Sequence, residues 1–139
     1  MTRLQSTSAE QTVEIGRRLG GTLRAGAVVS LEGPLGAGKT TLVKGIAGAL
    51  GIEEPVTSPS FTLISSYHGA TDLHHVDLYR LEALAEIEDL GLEELMAAGG
   101  ITVIEWGEKA RDLLPADAVR VRVDLDGAGR SVSIEGAAL

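Results

Sequence analysis

A chain of 139 residues suffices for one domain around one core and is short for two. Hydrophobic residues make up 44% and aromatic residues 3%, which excludes a disordered chain and leaves the core to Val, Leu, Ile and Ala. The 20 acidic residues outnumber the 12 basic ones, and the net charge of −8 repels phosphate backbones, so any RNA is expected to be handled by a partner protein.

Met1 to Ser6 lacks the apolar centre of a signal peptide. Thr7-Ser8-Ala9-Glu10 reads as a capping box. The helix it opens carries Val13, Ile15, Leu19 and Leu23 and ends near Arg24-Ala25-Gly26. Ala27 to Leu31 is a short apolar run, the pattern of a buried strand. A glycine-rich loop, Gly33 to Gly38, precedes helical spacing at Leu42, Val43, Ile46, Ala47 and Leu50, which Gly51 stops. Glu53 to Ser60 is a loop with Pro55 and Pro59. Phe61 to Tyr67 and Leu73 to Leu78 read as strands joined by a turn at Gly69 to Thr71, a hairpin that makes part of the sheet antiparallel. Leu81 to Met96 is helical with a break at Gly91, Ile101 to Glu105 is a buried strand, and Trp106 to Leu114 is a helix ended by Pro115. Val119 to Leu125 and Ser131 to Ile134 form a hairpin at the sheet edge, across Asp126-Gly127-Ala128-Gly129. Strands alternating with helices argue for a mixed sheet covered on both faces. Cysteine is absent, which removes disulfides, thiolate catalysis and cysteine zinc sites. No apolar run approaches the roughly 20 residues of a membrane helix, so a cytoplasmic chain without membrane contact is expected.

Gly33-Pro34-Leu35-Gly36-Ala37-Gly38-Lys39-Thr40 matches G-x-x-x-x-G-K-[ST] between a strand and a helix. Glycines let the backbone curl so that successive N–H groups face phosphate oxygens, and the helix that follows adds its positive end. Lys39 reaches the β- and γ-phosphates, and the Thr40 hydroxyl suits Mg²⁺, which takes oxygen ligands. The expected fold is therefore an α/β, P-loop-like three-layer sandwich over residues 1–139. Its sheet is mixed and mainly parallel, with antiparallel edge strands. The expected ligands are ATP and Mg²⁺.

Glu105 ends the strand Ile101-Thr102-Val103-Ile104, where such folds place their ligands. It would help hold the cation or orient water, or else cap the next helix. Trp106 flanks the nucleotide or a partner, or packs in the core. Asp77 is a second carboxylate near a strand end, or a turn-forming Asp. His74 and His75 are adjacent and face opposite sides of a strand, so both read as packed or hydrogen-bonded in the sheet. His68 reads as a loop residue. Thr57-Ser58-Pro59-Ser60 is either a hydroxyl-rich switch over the γ-phosphate or a proline turn. Glu82, Glu86, Glu88, Asp89, Glu93 and Glu94 form a solvated helix face or a docking surface.

Four segments together resemble one family. They are Pro34 to Thr41, Val56-Thr57-Ser58-Pro59-Ser60-Phe61-Thr62-Leu63, His75-Val76-Asp77-Leu78-Tyr79-Arg80, and Ile104-Glu105-Trp106-Gly107-Glu108. In this order they look like the TsaE family, the bacterial ATPase of tRNA threonylcarbamoyladenosine biosynthesis, from the capping box to about Leu125. The resemblance implies a weak ATPase. It would work with a threonylcarbamoyl transferase subunit and that subunit's paralogous scaffold partner, and reach tRNA only through them. It implies that Lys39 binds phosphates, Thr40 and Glu105 hold Mg²⁺, Thr41 lies close to the phosphates, Asp77 is needed for hydrolysis, Trp106 adjoins the site and Ser58 to Thr62 is the switch. Gly33, Leu35, Gly36, Ala37 and Gly38 complete the nucleotide cradle. Ser60 stands where the family often has Thr, and Gly107 where Pro is frequent, which should loosen the turn after Trp106. The hairpin after Leu125 is weakly matched and receives no role.

The rival readings are a small P-loop kinase and an ATP-gated binding module with negligible turnover. A kinase needs an arginine-bearing lid, and between Met96 and Leu114 only Arg111 occurs. A GTPase is disfavoured further, because the guanine-reading Asn-Lys-x-Asp pattern needs Asn and the chain contains none. An arginine finger would come from Arg80 or from a partner.

Overall fold

The apolar run Ala27 to Leu31 gives rise to β2 (Val28–Glu32), near the middle of a seven-stranded sheet, all five of its residues buried. The computed structural model describes residues 1–139. In chain order the elements are β1 (Thr2–Ser6), α1 (Ala9–Thr22), β2, α2 (Lys39–Ala49), β3 (Ile64–Tyr67), β4 (Leu73–Asp77), α3 (Leu84–Glu88), α4 (Leu92–Met96) and β5 (Ile101–Glu105). A 3₁₀ segment (Gly107–Leu113), β6 (Val119–Asp126) and β7 (Gly129–Glu135) complete the chain. The strand order is β1-β7-β6-β2-β5-β4-β3. The central run β6-β2-β5-β4 is parallel, and β7, β1 and β3 are antiparallel to their neighbours. The antiparallel edges expected from sequence are present.

One face of the sheet packs against α1 and α2. There Leu19, Leu42 and Ile46 meet Leu31, Val103, Val121 and Ile134. The other face carries a smaller core in which Val28, Val76 and Ile104 meet Ile87, Leu92 and Ala110. That second layer covers only the β2-β5-β4 side. On β6 the same face shows Arg120 and Arg122 to solvent, so three layers exist over part of the sheet and two over the rest.

Several boundaries differ from the sequence reading. β1 carries no strand pattern in the sequence: only Leu4 of Thr2-Arg3-Leu4-Gln5-Ser6 is apolar, and it pairs with Val132. β1 also moves the β6–β7 hairpin off the edge, since β7 lies between β6 and β1. The helix cap is Ser8, whose side chain accepts from the Gln11 N–H, while Gln11 Oε1 accepts from the Thr7 N–H at 2.7 Å. The capping logic is therefore shifted by one residue from Thr7–Glu10. Phe61 to Leu63 do not belong to β3. The Leu63 N–H donates to the Pro59 carbonyl, Leu63 has φ of 68°, and Phe61 is 83% exposed. The helical stretch Leu81 to Met96 is two short helices on either side of Gly91, as the break predicts. After Trp106 the chain is 3₁₀, interrupted at Ala110, and not α-helical.

Candidate functional site

β2 delivers the chain into the loop Gly33 to Gly38 beside the carboxyl ends of its parallel neighbours. Leu31 and Asp77 are both in register with Glu105. Gly33, Gly36 and Gly38 have φ of 134°, 79° and 103°, a backbone region that residues with a Cβ rarely enter. Gly38 caps α2 without a side-chain bond, so the first N–H groups of that helix have no side-chain cap. The loop is held from behind. Arg130 Nε donates to the Ala37 carbonyl at 2.9 Å, and Nη2 to that of Gly36 at 3.5 Å. The hairpin that sequence left without a role thus braces the loop. Arg130 could not be found from spacing, because it lies 93 residues from Ala37.

A cleft of about 280 Å³ opens in front of the loop. Leu35, Gly36, Gly38, Lys39, Thr40, Thr41, Asp77, Glu105 and Trp106 line it, with Ser58, Ser60 and Tyr79. The site residues expected from sequence converge there, with two exceptions. Gly33 contributes through its carbonyl, which accepts from Lys39 Nζ. Ala37 is buried against the core and borders a second cleft on the other side of the loop.

Lys39 is 4% exposed, and its ammonium stands 3.6 Å from the Trp106 ring centroid. Burial pushes its pKa below the usual lysine range, while the carboxylates of Glu105, Glu108 and Asp77 pull it back up. Trp106 reaches this position with φ of 60°, strained for a residue with a Cβ, and its ring also lies 5.2 Å from that of Tyr79. Gly107, next to it, sits against β2: a Cβ there would meet Ser30 Oγ at 2.1 Å. The turn is close-packed at Gly107 and not loosened by it.

The two carboxylates are held differently. Thr40 Oγ1 donates to Glu105 Oε2 at 2.9 Å, and His75 Nε2 lies 2.6 Å from the same oxygen. Asp77 Oδ1 accepts from the Tyr79 N–H at 2.9 Å, while Ser58 and Ser60 hydroxyls reach Oδ2 at 3.4 and 3.3 Å. The serine loop therefore closes on Asp77. Arg80 does not join the cleft; its guanidinium lies 4.1 Å from the Phe61 ring centroid. His74 bonds Ser66 at 2.8 Å and exposed His68 bonds Asp72, as packed or loop histidines should.

No group of three or more His, Asp and Glu side chains is placed to hold a metal ion. The nearest oxygen donors are Thr40 and Glu105. Such a sparse set fits a cation that keeps waters and takes ligand phosphate oxygens, as Mg²⁺ does. The second cleft, of about 240 Å³, is lined by the α1 entry (Ser6, Thr7, Ser8, Thr12), by Gly36 to Gly38 and Thr41, and by the β6–β7 turn at Ala128 to Arg130. The two clefts share the loop and Thr41.

A glycine loop between β2 and α2, at the carboxyl ends of parallel strands, defines an α/β protein of the P-loop-like class. The family model described as threonylcarbamoyl adenosine biosynthesis protein TsaE matches residues 6–132. The chain belongs to the TsaE family, and the match extends beyond Leu125 into the hairpin that carries Arg130. Relatives named tRNA threonylcarbamoyladenosine biosynthesis protein TsaE include one from Treponema pallidum, 46% identical over 90% of this chain and 94% of that protein. One from Bacillus subtilis is 39% identical over 88% of this chain and 77% of that protein. A crystal structure of Bacillus subtilis YdiB superposes with a TM-score of 0.82 at 30% identity, covering 96% of this chain and 83% of that one. No helix of the chain is long and apolar enough to cross a membrane.

Proposed function

We propose that this chain is a cytoplasmic, Mg²⁺-dependent ATP-binding protein and slow ATPase that serves tRNA threonylcarbamoyladenosine biosynthesis together with partner transferase proteins. The observation that carries the reading is the convergence of Lys39, Thr40, Asp77 and Glu105 on one cleft in front of the loop. Lys39 meets the β- and γ-phosphates as a cation already stripped of most of its water. The loop N–H groups and the start of α2 take the remaining phosphate charge. Thr40 and Glu105 would hold Mg²⁺, which when bound neutralises charge developing on the phosphates. In this reading Asp77, whose Oδ1 is steadied by the Tyr79 N–H, accepts a hydrogen bond from the attacking water. The base and ribose fit the second cleft, continuous with the loop through Thr41.

That last placement has its own check. Ala128→Trp fills the β6–β7 side of the second cleft without touching Lys39 or Glu105. ATP affinity by calorimetric titration should fall about tenfold, roughly 1.4 kcal/mol, while affinity for inorganic tripolyphosphate stays unchanged. Equal losses for both ligands would sink the assignment of the base to that cleft.

The chain alone should turn over slowly. An arginine supplied to the transition state is worth about 10³–10⁵ in rate, and no arginine lines the cleft. The exposed side chains of Leu35 and Tyr79 border its mouth, and exposed Phe61 follows Ser60 there, a surface suited to a partner. ATPase rates measured with and without the transferase pair are expected to differ by at least about tenfold. Equal, slow rates would count against a partner-completed site. No turnover in either condition, with ATP still bound, would favour the binding-module reading.

A further inference from the structure

His75 is fully buried in the middle of β4, on the face packed under α2, among aliphatic neighbours such as Leu73 and Val103. Its Nδ1 has no hydrogen-bond partner. A buried polar atom left unpaired is costly, so a histidine here is a poor choice for packing alone. Its other nitrogen explains it. Nε2 lies 2.6 Å from Glu105 Oε2, diagonally across the β4–β5 pair. An ionised carboxylate only accepts, so Nε2 carries the hydrogen in this pair. Oε2 then accepts from both His75 and the Thr40 hydroxyl, and Oε1 keeps no protein partner.

We infer that His75 is a positioning residue for the divalent-cation site. By donating to Oε2 it fixes the rotation of the Glu105 carboxylate, so that Oε1 and the lone pairs of the Thr40 hydroxyl are presented together to the cation that accompanies the nucleotide phosphates. This rests on the Mg²⁺–nucleotide reading given above. Groups that orient a metal-binding side chain commonly govern metal affinity by about ten- to a hundredfold.

The test is Mn²⁺ binding followed by electron paramagnetic resonance in the presence of saturating ADP, with ADP affinity in EDTA and the melting temperature measured alongside. His75→Leu should weaken Mn²⁺ by about tenfold or more and leave metal-free ADP affinity unchanged. His75→Gln, whose amide nitrogen can stand where Nε2 stands, should recover Mn²⁺ affinity to within about threefold of the wild type, about 0.65 kcal/mol. His75→Met, apolar and without a donor, replaces the leucine variant if that chain does not fold. Unchanged Mn²⁺ affinity in the donor-less variant overturns the inference and leaves the nucleotide reading intact. Loss that glutamine does not restore also overturns it, since packing would then be the cause. A wild-type chain that binds ADP and takes up no Mn²⁺ overturns the metal reading itself, and this inference with it.

Discussion

Gly45→Ala is expected to lower the unfolding free energy by about 3 kcal/mol, roughly 10 °C in melting temperature for a domain of this size. The added methyl would stand 1.9 Å from the Val13 carbonyl oxygen, 2.8 Å from the Arg17 nitrogen and 2.9 Å from the Gly16 Cα. All three are backbone atoms, so no side-chain rotation relieves the clash. Helices α1 and α2 touch backbone to backbone here, and a Cβ on Gly16 would likewise meet the Leu42 carbonyl at 2.1 Å. Relief requires α2 to lift off α1, and lifting it exposes Leu42, Val43 and Ile46, which are fully buried. The control is Gly21→Ala, on the exposed side of the same helix pair with no atom within 4 Å of the new methyl. It should be neutral or stabilise by about 0.5–1 kcal/mol through helix propensity. Calorimetry on the two variants separates a close approach from a general dislike of replacing glycine. A Gly45→Ala chain that melts within a degree or two of wild type would show that the helices have room to spare. The consequence reaches the site, because α2 begins with Lys39 and Thr40.

That helix contact illustrates what a sequence states and what it withholds. The periodicity of Leu42, Val43 and Ile46 announces a helix with one apolar face, and the run from Ala27 to Leu31 announces a buried strand. Both follow from local pattern, and both formed where expected. The loop motif announces itself too, because Lys39 and Thr40 after glycines have no purpose in a mere turn. Asp77 and Glu105 were readable as strand-end carboxylates, but that they share a cleft depends on the β4–β5 register, which local pattern does not set. Leu4 alone could not reveal β1, whose formation depends on the partner strand β7 and its Val132. Arg130 and His75 were invisible as site residues for the same reason: each acts through a contact made across the sheet or from a distant turn. Arg80, legible as a possible finger, is drawn onto Phe61 because the chain after Pro59 turns sharply at Leu63 and leaves that ring in solvent.

Lys39→Met should separate binding from stability, moving them in opposite directions. The lysine ammonium is almost wholly withdrawn from water, donates to the Gly33 carbonyl and rests over the Trp106 ring. Its lowered pKa has burial as its largest cause, and three nearby carboxylates do not make up the difference. The charged form is therefore disfavoured by the fold that holds it. Methionine keeps the unbranched stem and much of the packing while removing that charge. The variant is expected to melt at or above the wild-type temperature. For a triphosphate the balance reverses, because the same desolvated cation meets concentrated negative charge without first shedding water. ATP affinity should fall by at least about a hundredfold, roughly 2.7 kcal/mol. Lys39→Arg is expected to restore little of it, since a delocalised guanidinium does not reproduce the compact point charge that Lys39 holds between the Gly33 carbonyl and the Trp106 ring. Calorimetric titration of ATP into each variant, beside thermal melts, reads both quantities on one sample. Undiminished affinity in Lys39→Met would remove the lysine from the phosphate cradle. A large fall in melting temperature would show that its role is to hold the loop together and not to wait for a ligand.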